Sequence, residues 1–193
     1  MLTKEQILEI FRESEALLTG HFKLTSGRHS PEYVQCAQVL KFPRYTELLC
    51  RHMAEFFRDD QVDLVIGPAM GGVTLSYEMA RQLGTPSLFT ERVDNRMVLR
   101  RNFHIPRNAR VLVVEDVTTT GGSVLEVVDL VREAGAEVVG TAVLVDRSGG
   151  TLDLGVPKSV SALTLNVVSY PPDDCPLCRE NIPVEKPGSR KEA

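Results

Sequence analysis

Short apolar runs alternating with amphipathic helical stretches constrain this chain more than any other feature. DLVIG (63–67), PSLFTER (86–92), ARVLVVED (109–116), AEVVGTAVLVDR (136–147) and ALTLNVV (162–168) have strand length and are rich in β-branched residues. Helix-patterned segments fall between them, around Thr74 to Leu83 and from about Gly122 to Ala134. Such runs, spaced by helices, belong in a parallel sheet covered on both faces. The expected fold class is therefore α/β, a central parallel sheet flanked by helices. Ligands of such sheets bind beyond the carboxyl ends of the strands. The unusual residues cluster there: GPAMGG (67–72), TERVDNR (90–96), EDVTTTGGS (115–123) and DRSGG (146–150).

The N-terminal part has a different rhythm. Thr3 is a candidate N-cap, and Ile7, Leu8, Ile10, Phe11, Leu17 and Leu18 repeat at helical spacing up to Gly20. HFKLTSGRHSPEYVQC (21–36) mixes turn residues with alternating strand residues and predicts a short hairpin. A second helix is expected from Tyr45 to Arg58.

Charge and hydropathy exclude several function classes. A net charge of −4 argues against a general nucleic-acid surface. No apolar run approaches the roughly 18 residues of a membrane span. MLTKEQILEIFRESEALL is amphipathic and acidic, unlike a secretory or transit peptide, so a cytoplasmic protein is expected. Cys175 and Cys178 form a CPLC, but a zinc site needs a second ligand pair, and Cys36 and Cys50 are not spaced like one. Cys175 and Cys178 are read as ordinary thiols near a C-terminal turn, with zinc as the alternative.

VLVVEDVTTTGGS (111–123) carries the chemistry. Adjacent acids want hydroxyls or a cation, and a glycine-rich turn opening a helix wants an anion. Thr118, Thr119, Thr120 and Ser123 add hydroxyl donors. Neither GxxxxGK[ST] nor a helix-opening GxGxxG is present. The competing structural reading is a buried acid pair capping the next helix.

This stretch resembles the thirteen-residue 5-phosphoribosyl 1-diphosphate (PRPP) signature of the type I phosphoribosyltransferases. The resemblance implies that Glu115 and Asp116 hold the ribose hydroxyls, and that Val117, Thr118, Thr119, Thr120, Gly121, Gly122 and Ser123 wrap the 5-phosphate. GPAMGG is similar to the family's pyrophosphate loop, which assigns Met70 and Gly71 to PRPP. GHFKLTSGRHSPEYVQ (20–35) and VLVDRSGG (143–150) resemble the orotate phosphoribosyltransferases, implying that Thr119 and Arg147 contact orotate. An Arg can fork onto the orotate carboxylate or its neighbouring carbonyl; without this context, Arg147 would read as a surface ion pair with Asp146. Phe22 and Tyr33 read equally as core.

Two stretches depart from the family pattern. Thr25 stands where a lysine is usual, with Lys23 two residues earlier on the same strand face. In ERVDNRMVLRRNFHIPR (91–107), Arg92 matches the leading arginine of the mobile loop and Arg96 its principal lysine. Val93 falls on another family lysine and Val98 on the histidine. Arg96 is thus the expected catalytic loop cation, beside Glu115 and Asp116, with Arg100, Arg101 and His104 as alternatives.

The resemblance implies one domain over 1–193. Residues 1–40 supply the N-terminal helix and a small hood, 60–170 the PRPP-binding core, and 183–193 a flexible tail. It also implies a homodimer with shared sites, and Mg²⁺ held mainly through PRPP with no direct protein ligand. The rivals are a phosphoribosyltransferase for another base, a PRPP sensor without turnover, and a non-enzymatic nucleotide-binding protein.

Overall fold

Thr3 opens the first helix through a closed capping box. Its hydroxyl accepts the Gln6 amide at 3.3 Å, and the Gln6 side chain accepts the Thr3 amide at 2.9 Å. The computed structural model describes residues 1–24 and 26–187. Helix α1 (Lys4–Glu13) is shorter than the apolar spacing predicts. Glu15 takes a positive φ of 55°, and Leu17 and Leu18 enter strand β1 (Leu17–Lys23), with Gly20 inside it. Two adjacent leucines fit either element, and pairing with the following segment decides. β1 runs antiparallel to β2 (His29–Val34), which makes the expected hairpin.

A five-residue helix, α2 (Cys36–Leu40), precedes α3 (Pro43–Ala54), which a 3₁₀ turn extends to Phe57. Then come β3 (Leu64–Pro68), α4 (Gly71–Leu83), β4 (Ser87–Val93), β5 (Arg96–Val98), β6 (Arg110–Thr118), α5 (Gly122–Glu133), β7 (Glu137–Asp146), β8 (Ser159–Thr164) and the short α6 (Pro176–Arg179). The six-stranded sheet has the order β5-β4-β3-β6-β7-β8, parallel except for β4–β5.

Alternating residues of the central strands feed two cores. Val65, Leu112 and Val114 face α1, α3 and α4, where Phe11, Leu49, Met53, Leu75 and Met79 are fully buried. Leu64, Ile66, Val111 and Val113 face Val124, Val127, Val128 and Val131 of α5. Each fully buried valine of that stripe contributes about 1.5–3 kcal/mol of transfer free energy. This packing holds the carboxyl ends of β3, β6 and β7 side by side.

The structure differs from expectation at three further places. β8 begins at Ser159, ahead of the apolar run, because parallel pairing with Thr141–Asp146 selects the register. Arg96–Val98, expected as mobile loop, pairs with Glu91–Val93 in a hairpin turned at Asp94 and Asn95, both at positive φ. Part of the expected loose tail is fastened: Glu185 donates its amide to the His21 carbonyl at 2.7 Å and accepts the Lys23 amide at 2.8 Å. Thr25 and residues 188–193 lie outside the described residues. Among the described residues, no helix is long and apolar enough to cross a membrane.

Candidate active site

A cleft of about 810 Å³ opens at the carboxyl ends of β6 and β7. It collects Arg92, Glu115, Val117, Thr118, Thr119, Thr120, Gly121, Gly122, Ser123 and Arg147. All but Arg92 and Arg147 come from one strand-to-helix junction. β6 ends at Thr118, and Gly121 caps α5 in the left-handed region at φ 79°. A Cβ on Gly121 would also lie 2.7 Å from Leu154 Cδ2, so the turn requires glycine. The first donor into α5 is the Leu125 amide, to the Gly121 carbonyl at 2.8 Å. The amides before it form the unpaired first turn and aim a helix N-terminus into the cleft. Thr118 Oγ1 is buried there with no hydrogen-bond partner among the described residues, although buried hydroxyls are nearly always satisfied.

The two acids touch each other, with the Asp116 amide donating to Glu115 Oε1 at 3.0 Å, and then have different surroundings. Glu115 is buried and lines the cleft. Burial, and next the adjacent Asp116, push its carboxyl well above the usual carboxylate range. Asp116 is anchored by the Val117 amide on Oδ1 at 2.9 Å, and its Oδ2 sits against the GPAMGG loop. A Cβ on Gly71 would lie 2.0 Å from Oδ2, so the glycine makes room for the acid. Met70, beside it, is highly exposed and follows a cis peptide bond from Ala69.

Arg147 enters from the end of β7. Its Nε is buried without a hydrogen-bond partner among the described residues, and burial pulls the guanidinium pKa down. The ion pair with Asp146 does not form: that carboxylate accepts the amides of Ser148 (2.7 Å) and Gly150 (3.0 Å) instead. An acid so engaged orders the turn and leaves Arg147 facing the cleft. Tyr33 of the hood and the buried Cys36 lie close enough to Arg147 to interact electrostatically.

The loop cations divide. Arg92 forks onto Glu126 of α5 (2.8 and 3.2 Å) and donates to the Asn95 carbonyl at 2.8 Å. Arg100 and Arg101 both pair with Glu91, at 3.6 and 2.9 Å. Arg96 is exposed on β5, outside the cleft lining, and its side chain makes no hydrogen bond or ion pair among the described residues. Sequence reasoning missed Glu126, Asn95, Leu24 and Ser26, which also line the cleft. Glu126 could have been found, since it lies one helical turn beyond Ser123.

The phosphoribosyl transferase domain family matches residues 38–173. The orotate phosphoribosyltransferase of Caldicellulosiruptor saccharolyticus is 55% identical over 190 residues, covering 98% of this chain and 99% of that protein. That of Pelotomaculum thermopropionicum is 57% identical over 190 residues, covering 98% and 100%. The crystal structure of orotate phosphoribosyltransferase from Aeropyrum pernix superposes with a TM-score of 0.71 at 28% identity, covering 82% of this chain and 93% of that one.

Proposed function

This chain belongs to the orotate phosphoribosyltransferases of the type I phosphoribosyltransferase family, and from that membership we propose how its cleft divides the work. The reaction moves ribose 5-phosphate from PRPP to orotate, giving orotidine 5-monophosphate and pyrophosphate in pyrimidine biosynthesis. Orotate N1 bonds to ribose C1 as the bond from C1 to pyrophosphate breaks.

The observation that carries the reading is Arg147, a cation with a buried, unpartnered Nε in the same cleft as an anion-binding helix N-terminus. A carboxylated base and a phosphorylated sugar satisfy both. Arg147 and Thr119 hold orotate. The turn from Val117 to Ser123 holds the 5-phosphate, with the free Thr118 hydroxyl as one donor. Glu115 and Asp116 accept the ribose hydroxyls and face the positive charge that develops on the ring. Met70 and Gly71 place backbone amides at the pyrophosphate, and Arg92 leaves Glu126 to meet it.

Among the described residues, no cluster of three acids or other donors in the cleft forms a dedicated cation cage. The acid pair does suit Mg²⁺ carried in on PRPP oxygens, with Asp116 nearest the pyrophosphate loop. When bound, the ion would neutralise charge on the departing pyrophosphate.

The direct test is the absorbance change on mixing protein, orotate, PRPP and Mg²⁺, with uracil, hypoxanthine and adenine as controls. Turnover with orotate alone is expected. Turnover with another base, or PRPP binding without turnover, would overturn the reading.

Arg96 serves as the loop cation on the leaving pyrophosphate. Arg96→Ala should lower kcat about 10- to 100-fold, the loss of one charge-assisted contact of about 1.5–3 kcal/mol. Its Tm should hold, because the exposed side chain makes no hydrogen bond or ion pair among the described residues. An equal loss in Arg100→Ala with Arg96→Ala unaffected would move the role. The proposed partner is a second copy of this chain, with sites shared between subunits in the cytoplasm. Met70 and Tyr77, large side chains left exposed in the pyrophosphate loop and on α4, support that association.

A further inference from the structure

The C-terminal CPLC motif does not stand alone in space. His21 of β1 and His29 of β2 face Cys175 and Cys178, and the four ligand atoms lie within 4.8 Å of one another. His21 Nε2 stands 2.9 Å from His29 Nδ1, 3.6 Å from Cys175 Sγ and 3.7 Å from Cys178 Sγ. Cys178 Sγ is 3.3 Å from His29 Nδ1. Ligands at zinc distances, 2.0–2.3 Å on a tetrahedron, stand about 3.3–3.8 Å apart. Three of these edges fall in that range, the His21–His29 edge is shorter, and the whole set spans at most 4.8 Å, so small side-chain shifts complete the tetrahedron.

Three local features aim these donors inward. The β1–β2 register slips between Thr19 and Phe22, and this bulge places consecutive residues, His21 and Phe22, in buried positions. His21 Nδ1 donates to the Ile182 carbonyl at 2.7 Å, which fixes the tautomer and leaves the Nε2 lone pair facing the sulfurs. Tyr170 and His29 exchange backbone hydrogen bonds at 2.8 Å each way, seating the C-terminal segment on the hairpin. His21, His29 and Cys175 are buried, and Cys178 is partly exposed, giving an entry path.

We propose that His21, His29, Cys175 and Cys178 bind one structural Zn²⁺ that ties the C-terminal segment to the hood. Two thiolates and two imidazoles in a closed tetrahedron select zinc over oxygen-seeking cations such as Mg²⁺. Each cysteine gives up its proton to the solvent as its sulfur bonds to the ion. With all four positions taken, this ion has no open site for chemistry. Its consequence is positional: the loop between the two histidines carries Leu24 and Ser26 to the cleft.

The test is metal analysis of protein expressed with added zinc, followed by replacement of zinc with Co²⁺. About one zinc per chain is expected, with cobalt giving the visible bands and thiolate charge-transfer absorption of a tetrahedral sulfur site. Cys178→Ser, at the least buried ligand, should lose that charge-transfer intensity and at least about tenfold in zinc affinity. Should the variant fail to fold, cobalt titration of the chelator-stripped wild type gives the same reading. Metal-free protein with free thiols, iron instead of zinc, or a Cys175–Cys178 disulfide would each overturn the proposal.

Discussion

Changing Glu115→Gln together with Asp116→Asn should reduce kcat/KM for PRPP about 10²- to 10⁴-fold. In the proposed reading each carboxylate accepts a hydrogen bond from a ribose hydroxyl, worth about 1.5–3 kcal/mol, and 1.4 kcal/mol is tenfold. The loss should fall on kcat as well as KM, because negative charge beside C1 matters most when the ring becomes cationic. Near-normal kinetics would remove both residues from the site.

The same pair makes a prediction about stability. Glu115 in the ligand-free protein holds its proton well above the carboxylate range, chiefly because it is buried. The folded state then binds more protons than the unfolded one above the ordinary carboxyl value of about 4.5. The Glu115 contribution to stability is full below that value and is lost as pH rises through its raised folded pKa. Glu115→Gln mimics the protonated acid, so its Tm should fall less than that of the wild type as pH rises. Parallel curves would show that Glu115 is ionised in the folded protein.

The strands of the core and the phosphate turn were legible because each rule acted locally. Apolar runs of strand length, a glycine at a left-handed position and hydroxyls at a helix start are written in consecutive residues. Leu17 and Leu18 were not legible, because adjacent leucines satisfy both periods and the choice belongs to β2. β5 is three residues of a hairpin turned by Asp94 and Asn95, too short to carry a pattern. β8 starts in Ser159, a polar residue whose place is set by its neighbour β7. The same limit applies to the CPLC motif. Its partners lie about 150 residues away on a hairpin bulge, so only folding reveals the second ligand pair. The Arg147–Asp146 pair misleads for a related reason: Asp146 is taken by backbone amides of the following turn.

Arg147→Met separates orotate binding from everything else the cleft does. A guanidinium fork onto a carboxylate carries about 1.5–3 kcal/mol per charged hydrogen bond, so its loss should raise the orotate KM about 10- to 100-fold or more. PRPP affinity should stay within about twofold, since the phosphate turn and the acids are untouched. Stability should move the other way. Removing one member of a buried ion pair is costly because the other charge is stranded, but Arg147 has no carboxylate partner among the described residues. Methionine keeps much of the side-chain length without the desolvated charge, so the Tm of the ligand-free variant should equal or exceed that of the wild type. Orotate should then raise the Tm of the wild type and leave that of the variant nearly unchanged. A variant that is less stable but still binds orotate would place Arg147 in the framework of the fold and send the search for the orotate cation elsewhere in the cleft.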